Sequence, residues 1–168
     1  KIKLEFGPLA IVFNVVMIAL FKIFFKIFFL LKAEGRNHLP LQGGFLVCPN
    51  HTSYLDGIFI LCALPFKVTL QTYFVGYSTF FESPVLKSFI RIARLIPMAT
   101  NINLVEALKA SAFVLRNKKV VCYFPEGQRS IDGSLNPFKK GVSILIHELS
   151  VPVVPVYMTG AIKTWGRS

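Results

Sequence analysis

A chain of 168 residues accommodates one domain of ordinary size and leaves no room for a second. It is 54% hydrophobic with 17 Phe and only 16% charged, against about 25% in ordinary soluble domains, which excludes disorder, collagen and coiled coil. The remaining charge is lopsided: 19 Lys+Arg against 8 Asp+Glu leave +11, so an anionic partner is expected, and apolar plus basic points to a membrane surface first.

The first segment, Pro8 to Leu31, is 24 residues long, and all but Pro8, Asn14, Lys22 and Lys26 are apolar. As a helix it reaches about 36 Å, enough to cross a hydrocarbon core. Lys22 and Lys26 lie four apart on one face with Lys32 near the same stripe, and Phe21, Phe24, Phe25, Phe28 and Phe29 fill the rest. Basic on one side and aromatic on the other describes a helix lying in the interface with its lysines at the phosphates. A span, or a helix buried in protein, remain as alternatives. No secretory cleavage signature follows. Gly7-Pro8 starts this helix, and Ala33 to Asn37 is a polar stop.

Beyond Gly43 short apolar runs alternate with periodic ones. Phe45–Cys48 reads as a buried strand, Tyr54–Ala63 as a short helix and Lys67–Val75 as a β-rich run. Ser83-Pro84 opens a helix to Ile92, whose Lys87 and Arg91 form a basic face with Arg94. Leu95–Met98 is a strand held near a sheet edge by Pro97. Asn103 and Glu106 resemble a capping box for an amphipathic helix with Leu104, Leu108, Ala112 and Leu115 on its apolar stripe. Val120–Phe124 is a strand, Lys139–Leu149 a helix and Val153–Tyr157 a last strand. Strand and helix alternating is the α/β signature.

Cys48, Cys62 and Cys122 lie in apolar runs without Cys-x-x-Cys spacing, so neither a disulfide framework nor a zinc knuckle is expected, and a reducing compartment is. The chain starts at Lys1 rather than Met and stops after an apolar run, as a piece of a longer protein would.

Two loops that follow strands carry unusual polar clusters. In Pro49-Asn50-His51-Thr52-Ser53-Tyr54-Leu55-Asp56, a carboxylate opening a helix can fold back onto the imidazole five residues earlier. It would fix the tautomer and support the imidazolium, leaving the other nitrogen to take a proton from a substrate. The same pair could serve only as turn cap and helix cap. In Phe124-Pro125-Glu126-Gly127-Gln128-Arg129-Ser130, Gly127 allows a close backbone approach and Arg129 offers a planar fork for phosphate oxygens. A plain surface turn with Glu126 paired to Arg129 is the competing reading.

Other chemistries fail on the residues. There is no G-x-S-x-G, no G-x-x-x-x-G-K-[ST] and no G-x-G-x-x-G, and His147-Glu148 lacks a second zinc ligand because position 151 is Val. The Lys118-Lys119 and Lys139-Lys140 pairs lack interleaved aromatics, so no nucleic acid is expected.

His-x4-Asp, then Phe-Pro-Glu-Gly, then Val151-Pro152-Val153-Val154-Pro155-Val156 together resemble the lysophospholipid and glycerol-phosphate acyltransferase family, the PlsC-like acyltransferases. The resemblance runs from about Leu39 to the end. It implies an α/β fold with a mixed, mostly parallel sheet flanked by helices: an N-terminal membrane-associated helix over residues 1–36 and an acyltransferase domain over 37–168, truncated at its C-terminal end. It implies that His51 abstracts a proton from a glycerol hydroxyl that attacks an acyl-CoA or acyl-carrier-protein thioester, with Asp56 orienting the histidine. It implies substrate contacts by Glu126, Gly127 and Arg129 at the acceptor's phosphate and by Asn50 and Ser53 beside the dyad, and a strand at Val151–Val156 on the acyl-donor side.

The family's second block commonly ends in arginine, where aligning Ile96–Thr100 places Thr100. Arg129 or the Lys87/Arg91/Arg94 face would then supply the missing cation, or the acceptor carries a larger head group. Ser130–Gly133, Phe138–Gly141 and Trp165 further resemble acyltransferase domains fused to an acyl-activating ligase module. The implied protein is a phospholipid-synthesis O-acyltransferase on the cytoplasmic face of the cell membrane, needing no metal or organic cofactor and working on membrane phospholipids. The alternatives are a non-catalytic lipid-binding scaffold, or hydrolysis with water replacing the glycerol hydroxyl.

Overall fold

A computed structural model describes residues 7–77, 94–98 and 104–166. In chain order the elements are α1 (Pro8–Phe28), a 3-10 turn (Arg36–His38), β1 (Phe45–Pro49), α2 (Asp56–Ala63), α3 (Phe66–Thr69), β2 (Thr72–Tyr77), β3 (Leu95–Met98), α4 (Leu104–Arg116), β4 (Val120–Cys122), α5 (Lys140–Leu149), β5 (Val153–Val156) and α6 (Ile162–Trp165). The expected helix at 83–92 with Lys87 and Arg91, the cap at Asn103, and Thr100 lie outside the described residues.

The strands form one sheet in the order β3-β2-β4-β1-β5, and every described pairing is parallel. Period-two alternation sorts their side chains into two cores. Leu46, Tyr73, Ile96 and Val121 face α4 and α5 through Val114, Leu115, Val142 and Leu145. Phe45, Val47, Phe74, Val120 and Cys122 face the other way and pack against Ile60 of α2 and Leu64 just after it. Parallel strands need helical crossovers, so both faces of this sheet carry helices. The edge position expected of the Pro97 strand is observed, with β3 outermost beside β2.

The β-rich run expected at Lys67–Val75 divides. Its first part closes a helical turn, α3, because the Thr69 hydroxyl reaches back to the Leu61, Leu64 and Pro65 carbonyls at 3.1, 3.3 and 3.1 Å. Such local side-chain bonds compete with a ladder, and β2 begins only at Thr72.

α1 starts at the expected Gly7-Pro8 boundary, with Gly7 extended and Pro8 at the first helical position. Asn14, Ile18 and Phe25 form its buried stripe, and Phe25 meets the Phe59 ring of α2 edge-on at 5.6 Å. Leu9, Val12, Val16, Leu20, Ile23 and Ile27 are exposed. The helix is long and apolar enough to cross a membrane, with a mean hydropathy of 2.3 over its best window. The expected basic face is corrected in one respect: Lys26 and Lys32 are exposed, but Lys22 turns inward onto carbonyls of α2. Arg94, grouped by sequence with a basic face, is instead hydrogen-bonded to the Tyr73 phenol, and burial holds its guanidinium below the ordinary value.

All three cysteines are free thiols. Burial pushes Cys48 and Cys62 up to about 11 and Cys122 well above its ordinary value, so they behave as small apolar groups.

Gly44 leads into β1 where the backbone passes the end of α4. A Cβ there would lie 2.3 Å from the Leu115 carbonyl oxygen and 3.0 Å from that of Lys119, both rigid backbone. Gly44→Ala is expected to lower stability by about 2 kcal/mol, as overpacking does. Thermal unfolding in detergent should show a drop of several degrees, and an unchanged midpoint would refute the close approach.

Candidate active site

β1 leaves the sheet through α2 on one face, while its neighbour β4 leaves through α5 on the other. Between them lies the switch point at which open parallel sheets place their ligands. Register Val47↔Cys122 sets the carboxyl ends of both strands side by side, so the loops after them meet. These are the two loops singled out by sequence.

In the first loop His51 Nδ1 and Asp56 Oδ2 are 2.8 Å apart, with the Asp56 side chain fully buried and the His51 side chain 22% exposed. The same Oδ2 accepts the backbone N–H groups of Thr52 at 2.6 Å and Ser53 at 2.8 Å. A carboxylate receiving two amide donors is an acceptor, so Nδ1 carries the proton and donates it. The positive end of α2 adds to this, since Asp56 is that helix's first residue. Oδ1 is buried with no partner among the described residues, so Oδ2 alone carries the bonds. Phe124 stacks on the imidazole, with ring centroids 4.1 Å apart, and fixes its plane. Nε2 has no hydrogen-bond partner among the described residues.

Glu126 is 1% exposed and both its oxygens are engaged. Oε1 accepts the His51 backbone N–H at 2.7 Å, and Oε2 accepts the backbone N–H and side-chain amide of Asn136, each at 2.9 Å. The His51 carbonyl in turn accepts the Ser130 N–H at 2.7 Å. Glu126, expected at the acceptor's phosphate, ties the two loops together. It makes no ion pair with Arg129 among the described residues, which removes the plain-turn reading.

Asn50 and Ser53 are likewise placed in the scaffold. Asn50 donates to the Met158 carbonyl at 3.1 Å and accepts its N–H at 2.6 Å, continuing the β1–β5 ladder through a side chain. Ser53 is fully buried and donates to the Trp165 carbonyl at 3.1 Å, and the Tyr54 N–H donates to that same carbonyl at 3.0 Å, fastening α6.

Gly127 adopts φ +69°, where an L side chain is strained and a Cβ would stand 3.1 Å from Lys139. Its N–H closes a turn onto the Phe124 carbonyl at 3.1 Å. The Arg129 guanidinium lies 3.2 Å over the Tyr54 ring, and Nη1 is shielded from solvent without an acceptor among the described residues. A cation held flat on an aromatic face with an unanswered donor is suited to an incoming anion.

The Ser130–Ser134 turn is a local knot. Asp132 accepts the hydroxyls of Ser134 at 2.6 Å and Ser130 at 3.0 Å, and these bonds push its carboxyl down to about 2. The charged form is favoured in the fold, so the turn keeps its geometry through the neutral range and loses it as pH falls toward that value.

A groove of about 870 Å³ runs beside β5, walled by Phe29, Leu31, Phe59, Val154, Val156 and Met158. It borders the strand expected on the acyl-donor side, though neither His51 nor Asp56 lines it. Sequence reasoning missed Tyr54, Phe124 and Asn136 as partners of the polar residues. The first two sit inside the motifs that were read, and a stacking role could have been sought there; nothing in the sequence marks Asn136.

Residues 31–159 match the acyltransferase family. The chain is similar to a 1-acyl-sn-glycerol-3-phosphate acyltransferase of Limnanthes douglasii, 30% identical over 140 residues that cover 82% of this chain and 48% of that protein. It is also similar to the human 1-acyl-sn-glycerol-3-phosphate acyltransferase alpha, 27% identical over 133 residues, 76% of this chain and 45% of that one. Among solved structures, the 1-acyl-sn-glycerophosphate (LPA) acyltransferase PlsC of Thermotoga maritima superposes with a TM-score of 0.69 at 26% identity, over 92% of this chain and 62% of that one. The chain thus spans about half the length of the curated relatives it matches.

The Glu126 clamp is open to direct test. In Glu126→Gln one end of the side chain becomes a donor facing a donor, and about 2 kcal/mol of stability should be lost. Hydrogen exchange at the His51 and Asn136 amides should accelerate together. Unchanged protection at His51 would show that Glu126 does not hold that loop.

Proposed function

This chain belongs to the acyltransferase family, and on that footing we propose that it moves a fatty acyl group from a thioester donor to the free glycerol hydroxyl of a 1-acylglycerol-3-phosphate or related lysophospholipid. The observation that carries the reading is the dyad at the switch point: His51 with Nδ1 pinned to a fully buried carboxylate and Nε2 unbonded.

In this mechanism Nε2 takes the proton of the glycerol hydroxyl as its oxygen bonds to the thioester carbon. Asp56 holds the tautomer and stabilises the imidazolium that forms. The tetrahedral adduct then collapses, the carbon–sulfur bond breaks, and the imidazolium returns the proton to the departing thiolate. The donor, acyl-CoA or acyl-carrier protein, is a co-substrate, and the step uses no further cofactor. Arg129 is the proposed partner of the acceptor's phosphate, supported by its stacked guanidinium and unanswered Nη1. The proposed setting is a membrane surface, with the exposed apolar side of α1 in lipid. Relatives in Brassica napus and Arabidopsis thaliana are named as chloroplastic.

His51→Ala is expected to lower kcat by at least about a hundredfold with the fold retained, and Asp56→Asn, which swaps an acceptor for a donor at Nδ1, by a comparable factor. Radiolabelled donor with a lysophospholipid panel reads this out as diacyl product. Full transfer by His51→Ala would sink the mechanism; free fatty acid instead of diacyl product would mean hydrolysis, and binding without product a scaffold. Arg129→Ala should raise the acceptor's KM about tenfold or more while leaving the donor's KM unchanged, and equal effects on both would remove Arg129 from the phosphate.

A further inference from the structure

Helix α2 carries Asp56 at its first position, yet little in its own sequence makes it a stable helix. It is eight residues long, contains Gly57 and two β-branched isoleucines, and its N-cap residue, Leu55, makes no side-chain capping bond. Isolated helices of that length are marginal, and an interior glycine costs about 1 kcal/mol more.

Its other end is served from outside. The internal ladder stops where the Leu64 N–H meets the Ile60 carbonyl at 3.0 Å, which leaves the carbonyls of residues 61–64 without helical partners. Lys22 of α1 donates to Leu61 at 2.9 Å, Cys62 at 3.1 Å and Leu64 at 2.5 Å, using all three protons of its ammonium. Arg36 donates to Ala63 at 2.7 Å. Two cations from the segment before β1 thus donate to every orphan carbonyl of α2, at the end where its dipole is negative, and share the Leu61 and Leu64 carbonyls with the Thr69 hydroxyl. A lysine set among apolar residues and drawn into protein is costly unless its donors are satisfied, so this geometry fixes where α1 docks.

We propose that Lys22, with Arg36 beside it, is a positioning residue: it fastens α1 to the far end of α2 and so holds Asp56 against His51. The lipid-facing helix and the carboxylate of the dyad are then joined through one two-turn rod, about 10 Å long. In kinetic terms this rests on the acyl-transfer reading, but the His51–Asp56 bond can be watched without turnover.

The test uses the full chain in detergent micelles, with Lys22→Met, Lys22→Arg and Arg36→Ala. One readout is the downfield proton resonance of the His51 Nδ1–H bonded to Asp56; the other is acyl transfer onto 1-acylglycerol-3-phosphate, split into kcat and KM. Lys22→Met should broaden that resonance and lower kcat by about tenfold to a hundredfold with both KM values nearly unchanged. Lys22→Arg should restore both, and Arg36→Ala should act in the same direction but less. A sharp resonance and full kcat in Lys22→Met overturn the proposal, as does a folded Lys22→Arg that rescues neither, or absence of the resonance from the unsubstituted protein. Should Lys22→Met not fold, Arg36→Ala and Lys22→Arg decide alone, and an unaltered resonance in Arg36→Ala then counts against it. If the resonance responds as stated while no variant transfers acyl groups, positioning stands and the acyl-transfer reading falls; transfer with an unresponsive resonance gives the reverse.

Discussion

The peptide group of His51 is bonded on both sides, and most of the site follows from that. Its N–H goes to a carboxylate at 1% exposure and its carbonyl receives the Ser130 amide, so the loop after β1 and the loop after β4 share one anchoring residue. A buried carboxylate is costly unless it is hydrogen-bonded, and Glu126 finds three donors, one of them the His51 backbone N–H. The cost of burying that charge therefore enforces the loop geometry: neither loop can move alone without stranding an oxygen in the protein interior. With the main chain fixed, the imidazole has few orientations left, and Phe124 on its face and Asp56 on its edge choose among them.

The sheet supplies the other half of the constraint. Because β1 and β4 are adjacent, parallel and wound to opposite faces, their following loops diverge from a common point and leave a crevice there. Asp56 belongs to the loop side of that crevice and to the first turn of α2 at once. Its Oδ2 gathers an imidazole N–H and two backbone amides, and the helix dipole adds a favourable field, so four weak contributions keep one buried charge in place. Charge burial thus recurs at both ends of the dyad's neighbourhood, and each time two backbone N–H groups and one side-chain N–H supply the compensation.

The strands and longer helices were legible because periodicity reports burial, and burial is what the sheet's two faces impose: α5 and β4 follow from it, while the edge placement of the Pro97 strand follows from proline's missing N–H. The His51–Asp56 bond was legible because a spacing of five across a strand-to-helix turn brings two side chains together locally. Glu126 was assigned to substrate because acidic residues beside a glycine in a loop read as surface chemistry. Two of its three donors are backbone amides, at positions 51 and 136, and backbone amides carry no sequence signature; the third is the Asn136 side chain. The bonds of Asn50 were hidden for the same reason, since its partner is the main chain of Met158. The β-run at Lys67–Val75 failed where the Thr69 hydroxyl bonds nearby carbonyls in a helical turn, a competition that propensity alone does not resolve.

Net charge shows most clearly how a bulk property dissolves into particular contacts. An excess of +11 reads as attraction to an anionic surface, and Lys26 and Lys32 are exposed where they can supply it. Four other cations are committed to acceptors within the protein. Lys22 and Arg36 lie on the carbonyls of α2, Arg94 on the Tyr73 phenol, and Arg129 on the face of Tyr54. Of these, Arg129 keeps a donor without a partner among the described residues. Lys22 and Arg36 donate to carbonyl dipoles, which carry less charge than a headgroup phosphate but converge at one helix end and are already fixed in position. A helix terminus inside the protein therefore competes with the bilayer for the lysines of an amphipathic helix. Where the terminus wins, as at Lys22, a residue that reads as a membrane contact becomes an internal joint.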